Sequence, residues 1–217
     1  MAYLKWDQKT ITDLRSENIE NEYEKGFLFG RIGKGVVDQT RSVRIDLDLF
    51  DLTSENRRVL KKTDGLLISN TGIPYQKYDW TIGKLAKDFY DTKFGEKTFS
   101  ANKTKELLTD QTRSNFNKLL TFSFAENIVG YAICFNTENI LHYCYPFYDL
   151  NSTLPNLGMG MMLRAVLWAK ETNKKYIYLG SAQRPGDTYK LQFEGLEWFD
   201  GKTWQNDIKI LKEIISK

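Results

Sequence analysis

One stretch constrains this chain more than any other. ILHYCY opens an apolar run that ends in HYCYPFYDL, a loop follows, a helical pattern begins near Gly158, and a second apolar run, YIYLG, closes the unit. In the helical part Met159, Met162, Leu163, Val166 and Ala169 share a face. A strand, a helix and a strand in so short a space make a crossover connection, so the two strands are expected to be parallel. Upstream, KLLTFSF and IVGYAICF flank Ala125, Glu126 and Asn127, a hairpin-sized connection. In the second of these runs Val129, Tyr131, Ile133 and Phe135 alternate with Gly130, Ala132 and Cys134. The run ILHYCY is expected to stop at Pro146, which cannot donate to a ladder.

The N-terminal half reads as a mixture. A helix is expected over Ser16 to Lys25, capped by Ser16 and stopped by Gly26. FLFGRIGKGVV reads as a turn-rich strand pair or a loop over the core, and VRIDLDLF alternates like a half-buried strand with its charges in water. SENRRVLKKT is a helix that Ser54 can cap and Gly65 follows. A further helix over Trp80 to Phe94 presents Ile82, Leu85, Ala86, Phe89 and Tyr90. The chain closes with an aromatic-rich stretch, Gly195 to Trp204, and a helix from Asp207 to Ser216.

Composition limits the chemistry. The longest apolar run, Ile128 to Phe135, is far too short to cross a membrane, which takes about 18 residues. The opening MAYLKWDQKT has no apolar leader, so a cytoplasmic protein is expected. Two cysteines, Cys134 and Cys144, and one histidine, His142, do not make a disulfide framework or a four-ligand zinc site. Both thiols are expected to be buried and the protein to be metal-free. The net charge of +3 is uneven: residues 1–24 carry −3, residues 53–62 carry +3 and residues 157–190 carry +4. Local basic patches of this kind can hold phosphates, although charge runs are commonly just solvated faces.

An antiparallel meander feeding a strand–helix–strand unit, with Gly158-x-Gly160 at the helix start, is the order of elements in the GNAT acyltransferases. The sequence resembles the arginyl- and leucyl-tRNA–protein transferase family over about residues 20–205. The resemblance is carried by YEKGFLFGR (23–31), RSVRIDLDLFDLTSENRRVLKK (41–62), HYCYPFYDL (142–150), NLGMGMMLRAVLWAKETNKKYIYLG (156–180) and YKLQFEGLEWFDGKTW (189–204), in the family's order. It departs from the family in three places. IGKGVVDQT holds no cysteine cluster, Met159-Gly160 replaces Thr-Tyr, and Ser181-Ala182-Gln183 replaces Tyr-(Trp/Tyr)-Ile. Pro155 also departs from the first position of the acetyl-CoA signature of ordinary GNAT enzymes.

The resemblance implies an α+β, GNAT-like acyltransferase fold with a mixed central sheet flanked by helices. Residues 1–110 are expected to face substrate and tRNA and residues 111–217 to form the acyltransferase core, in one compact unit. It implies transfer of an amino acid, Arg or Leu, from charged tRNA to an acidic N-terminal residue of a protein, in the N-degron pathway. The partners are then charged tRNA and a protein or peptide with an acidic N-terminus, with no membrane. The donor is aminoacyl-tRNA and no cofactor is needed. An acyl-CoA-dependent N-acyltransferase, with acetyl-CoA as donor, and a non-catalytic tRNA- or degron-binding relative remain open beside it.

The reaction is aminolysis of an ester that is already activated. Asp149 is a candidate base or amine anchor and equally a turn aspartate; Tyr148 precedes it at the strand end. Backbone N–H groups over Leu157, Gly158 and Gly160 can meet an oxyanion, helped by the hydroxyl of Tyr178 or Tyr189. For both tyrosines the other reading is amphipathic core filling, and for Tyr178 it is the preferred one. Lys190, Arg57 and Arg58 suit a carboxylate, and Arg57 with Lys61 or Arg58 with Lys62 can face tRNA. Arg57, Arg58, Lys61 and Lys62 read otherwise as a solvated helix face. Tyr143, Tyr145 and Phe147 can stack a terminal base, with at least one of them in the core. Gly180 ends the second strand. His142 is expected to be packed or hydrogen-bonded, not catalytic. The carbonyl is expected at the mouth of the two strands, over the helix start.

Overall fold

The computed structural model describes residues 4–216, so the first three residues of the MAYLKWDQKT segment lie outside the described residues. The chain forms two compact units. The first takes the stretch through Arg57, then Thr137–His142 and Ala169 onward; the second takes Arg58–Asn136 and Tyr143–Trp168. The boundary expected at 110/111 falls inside the second unit.

The first unit holds β1 (Asp7–Thr10), α1 (Ser16–Glu24), β2 (Phe27–Phe29), β3 (Val36–Gln39) and β4 (Ser42–Asp46). After the chain returns it adds β9 (Tyr176–Ser181), a 3-10 segment (Pro185–Leu191), β10 (Leu196–Phe199), β11 (Trp204–Gln205) and α6 (Ile208–Ile215). Strands β1, β3 and β2 make a small antiparallel sheet, which is the expected strand pair of FLFGRIGKGVV. In the other sheet β11, β10, β4 and β9 are antiparallel neighbours, with a register shift between Ser42 and Arg44 of β4. The start of β8 (Ile140–Tyr148) then joins β9 in parallel, with Ile140 opposite Tyr176 and His142 opposite Tyr178. The crossover rule therefore holds, and the sheet is mixed.

The second unit holds β5 (Leu67–Gly72), α3 (Trp80–Phe94), α4 (Ala101–Thr109), β6 (Lys118–Phe124), β7 (Asn127–Asn136) and the rest of β8. These strands run in the order β8, β7, β6, β5, and β6 and β7 turn through Ala125 and Glu126 at positive φ. Two helices straddle the unit boundary, α2 (Ser54–Lys62) and α5 (Leu157–Glu171). The fold class is the expected α+β, a mixed sheet flanked by helices, with the meander, crossover helix and parallel strand in GNAT-like order. Among the described residues no helix is long and apolar enough to cross a membrane.

Several local expectations are corrected. Ser16 begins α1 instead of capping it, and Arg15 at the cap makes no side-chain bond. In α2 the capping residue is Thr53, whose Oγ1 accepts from Asn56 N–H while Asn56 Oδ1 accepts from Thr53 N–H. Strand β8 does not stop at Pro146 but runs on to Tyr148. Asp149 donates its N–H to Val129 of β7. By the alternation of a ladder the missing N–H of Pro146 falls on the edge away from β7, where pairing with β9 covers only Ile140–His142. Strand β4 is not half-buried: Val43, Arg44 and Ile45 are all interior, the charge included.

Candidate functional site

In the second unit, the end of β8 and the start of α5 enclose a cavity of about 300 Å³. Tyr148, Asp149, Leu157 and Gly158 line it together with Lys93 and Asn156. Four of the sequence-predicted residues thus meet in one place. Tyr148 is the best-defined of them. A Cβ at Gly158 would stand 2.9 Å from its ring and hydroxyl, and a Cβ at Gly130 would stand 2.9 Å from its own Cβ. Phe89 of α3 packs on the ring at 4.7 Å. Two glycines and an aromatic neighbour therefore hold this phenol close over the first turn of α5. Burial pushes its pKa up, so the hydroxyl keeps its proton near neutrality and is a donor.

The first residues of α5, Leu157 and Gly158, have no carbonyl four positions back inside the helix, so their N–H groups are not used by its ladder. With the phenol they form a set of donors suited to a developing oxyanion. Gly160 is not among them. Its N–H donates to Asn156 O at 2.9 Å, and its missing side chain makes room for Thr63, 2.6 Å from where a Cβ would lie. Gly160 is thus a packing position, corrected from the expected donor set. Asp149 lines the cavity while its carboxylate accepts the N–H of Asn151 at 2.9 Å, the bond of a turn aspartate.

Two of the aromatic trio of β8 are interior and the third is half-buried. Tyr143 and Phe147 are buried, and Tyr145 lies between the rings of Phe99 and Phe116, each 5.4 Å away. Tyr143 and Phe147 are thus core residues, and of the three Tyr145 alone keeps some exposure. In α2, Arg57 turns back to donate to Leu52 O at 2.5 Å, and Arg57, Arg58 and Lys61 are all solvent-exposed.

The first unit gathers the other predicted residues around different chemistry. Tyr178 is fully buried, and its hydroxyl accepts from Arg44 Nη1 at 3.2 Å. Its role as an exposed oxyanion donor is corrected to core filling. Burial pushes its pKa up, against the pull of Arg44. Lys190 donates to Ser181 O at 2.7 Å beside Gly180, whose φ of 77° suits a glycine, and Asp187 stands 3.6 Å from the ammonium. Burial lowers the Lys190 pKa and Asp187 offsets part of that. Tyr189 is exposed.

The residue that sequence reading missed is Arg44. Only 4% of it is exposed. Its Nε donates to Glu197 at 2.7 Å and Nη1 to Glu24 at 2.8 Å, while the rings of Tyr176 and Trp204 sandwich the guanidinium at 3.8 and 4.0 Å. Burial works against its charge, but Tyr178 and Glu24 hold its pKa above the ordinary arginine value. Beside it His142 Nδ1 meets Tyr23 Oη at 2.9 Å in the interior, as expected of a packed imidazole. Burial, with Lys190 nearby, pushes the His142 pKa down to about 3. Cys134 is buried and Cys144 half-buried. Among the described residues no group of three His, Cys, Asp or Glu side chains is placed to hold a metal.

Comparison with known proteins completes the assignment. The chain is similar to an aspartate/glutamate leucyltransferase of Stenotrophomonas maltophilia, 31% identical over 81 residues, covering 36% of this chain and 32% of that protein. An aspartate/glutamate leucyltransferase of Xanthomonas campestris pv. campestris is 29% identical over 80 residues, with the same coverage. The match spans about a third of the length of these curated relatives. Among solved structures, L-PGS from Bacillus licheniformis aligns over 93% of this chain and 71% of that one, with 12% identity and a TM-score of 0.49. Residues 75–200, more than half of the chain and including Tyr148, Asp149, Gly158 and Lys190, match the family described as arginine-tRNA-protein transferase, C terminus, and the chain belongs to that family.

Proposed function

We propose that this chain is an aminoacyltransferase that moves leucine or arginine from charged tRNA to the N-terminal Asp or Glu of a protein. The observation that carries the reading is the family match across residues 75–200, which contains the Tyr148–Gly158 cavity. The name of the curated relatives, aspartate/glutamate leucyltransferase, favours leucine as donor residue and acidic acceptors.

The chemistry needs little machinery. The α-amine of the acceptor, with a pKa of about 7.7–8.0, is partly neutral at cellular pH and attacks the ester carbonyl. An amide bond forms and the ester C–O bond breaks. The proton lost by the amine passes to the departing ribose oxygen, with Asp149 as its carrier. The Tyr148 hydroxyl and the N–H groups of Leu157 and Gly158 stabilise the tetrahedral oxyanion. Arg57, Arg58 and Lys61, exposed on α2, are assigned to tRNA phosphates. The donor is already activated, so the reaction calls for no cofactor. The reading assigns the protein to the cytoplasm, where charged tRNA is found, and its product to an N-degron.

The test is mass spectrometry of an Asp-initial peptide after incubation with a mixed aminoacyl-tRNA pool. A gain of about 113 Da marks leucine and about 156 Da marks arginine, both residue masses of a covalent modification. An unmodified peptide, or a peptide acylated only when acetyl-CoA replaces the tRNA, sinks the reading.

A further inference from the structure

A second cavity lies in the second unit, outside the site just described. It has a volume of about 660 Å³ and opens between the loop PYQKYDW, residues 74–80, and the start of α4. Its walls are fixed by the backbone. Tyr75 N–H donates to Leu108 O at 2.7 Å, and Gln111 Nε2 donates to Ile73 O at 2.8 Å. Tyr78 rests its hydroxyl where a side chain at Gly83 would be, 2.5 Å from the position of a Cβ. The cleft is therefore preformed.

Its lining combines flat rings with polar ends. Trp80 is 72% exposed, a large indole left in water at the first position of α3. Tyr75 and Tyr78 stand beside it, and Gln76, Asn102 and Lys105 complete the rim. Lys77 of the same loop is exposed and lies outside the lining. Among the described residues neither Lys77 nor Lys105 makes an ion pair, whereas the neighbouring Lys84, Lys87 and Lys103 are each paired with a carboxylate. The only carboxylate of the lining, Asp79, is already engaged, accepting from Thr81 N–H and hydroxyl at the cap of α3. Rings for stacking, carboxamides for base edges and unpaired lysines for phosphates are the features that hold unpaired nucleotides.

We propose that this cleft binds an unpaired segment of an RNA strand, short of the terminal nucleotide, with a base stacked on Trp80 and the adjoining phosphates on Lys105 and Lys77. The identity of that strand as the single-stranded 3′ end of tRNA rests on the transfer reading; the nucleotide chemistry does not.

The experiment is fluorescence anisotropy with a labelled single-stranded RNA ending in CCA and with uncharged tRNA. The proteins are the full chain, W80A, W80F and K105A, each checked for fold by circular dichroism. Trp80 is mostly in water, so W80A is expected to fold. It is expected to weaken RNA binding about tenfold, with W80F recovering most of the loss because a ring remains. K105A is expected to lower the salt dependence by about one phosphate contact. Equal binding by W80A and the wild type overturns the inference, as does a preference for an Asp-initial peptide over RNA. Wild-type transfer is measured in parallel. Loss of RNA affinity in W80A without wild-type transfer supports the cleft and removes the transfer reading; transfer without any effect of W80A does the reverse.

Discussion

The Arg44 cluster of the first unit and the Tyr148 cavity of the second both place a tyrosine hydroxyl among polar groups, yet they do opposite work. Around Arg44 the polar side chains engage one another: two carboxylates and a phenol accept from Nε and Nη1, and two rings cover its faces. Around Tyr148 the ring is seated firmly, but the hydroxyl and the first amides of α5 border an open cavity. A buried charge with every partner supplied from within is architecture. Donors held rigidly at a space with no protein acceptor are available for a ligand.

The largest expected effect tests the architectural side. Replacing Arg44 by Met leaves Glu24, Glu197 and the Tyr178 hydroxyl without their cation; both carboxylates keep some contact with water, so the loss is about 1.5–3 kcal/mol. Thermal denaturation should show a strongly lowered Tm, and a variant that folds like the wild type but loses only activity would break the comparison. The next effect comes from His142. Its pKa is about 3 in the fold against 6.5 free, so the folded chain binds fewer protons in that interval. Stability is therefore unaffected above pH 6.5 and falls as pH drops below it, by at most about 1.4 kcal/mol per pH unit, until pH 3. Urea midpoints between pH 7 and 4.5 check this, and H142Q should flatten that part of the profile if it folds.

The smallest effects on stability should be the largest on catalysis. Tyr148→Phe removes one hydroxyl facing the cavity and should change stability by less than about 1 kcal/mol while lowering the transfer rate about tenfold. Single-turnover transfer with saturating peptide separates the two. An unchanged rate moves Tyr148 to the architectural side. Gly158→Ala sharpens the same point, because it drives a methyl into that ring.

The legibility of the sequence followed the same division. Periodicity revealed α3, the α5 helix and the β6–β7 hairpin, because each buries a regular apolar face. It missed α4, ANKTKELLT, a short and mostly polar helix, and β5, LISNTG, an edge strand with little to bury. Arg44 was invisible for a different reason. Alternation in VRIDLDLF assigns its charge to water, and only partners 20 and 153 residues away, Glu24 and Glu197, reverse that. The cavity was half legible: Asp149 and Gly158 follow from strand end and helix start, but nothing local says that Gly160 packs on Thr63.

The seat of Tyr148 is made by subtraction at two positions, and this has an evolutionary consequence. A glycine can mutate only toward greater bulk, so drift at 130 or 158 has one direction, and it ends against the phenol. A relative that carries any larger residue at 158 must have given up the ring at 148 or moved it. The two positions should therefore change together through the lineage, and a relative that keeps the tyrosine should keep both vacancies beside it.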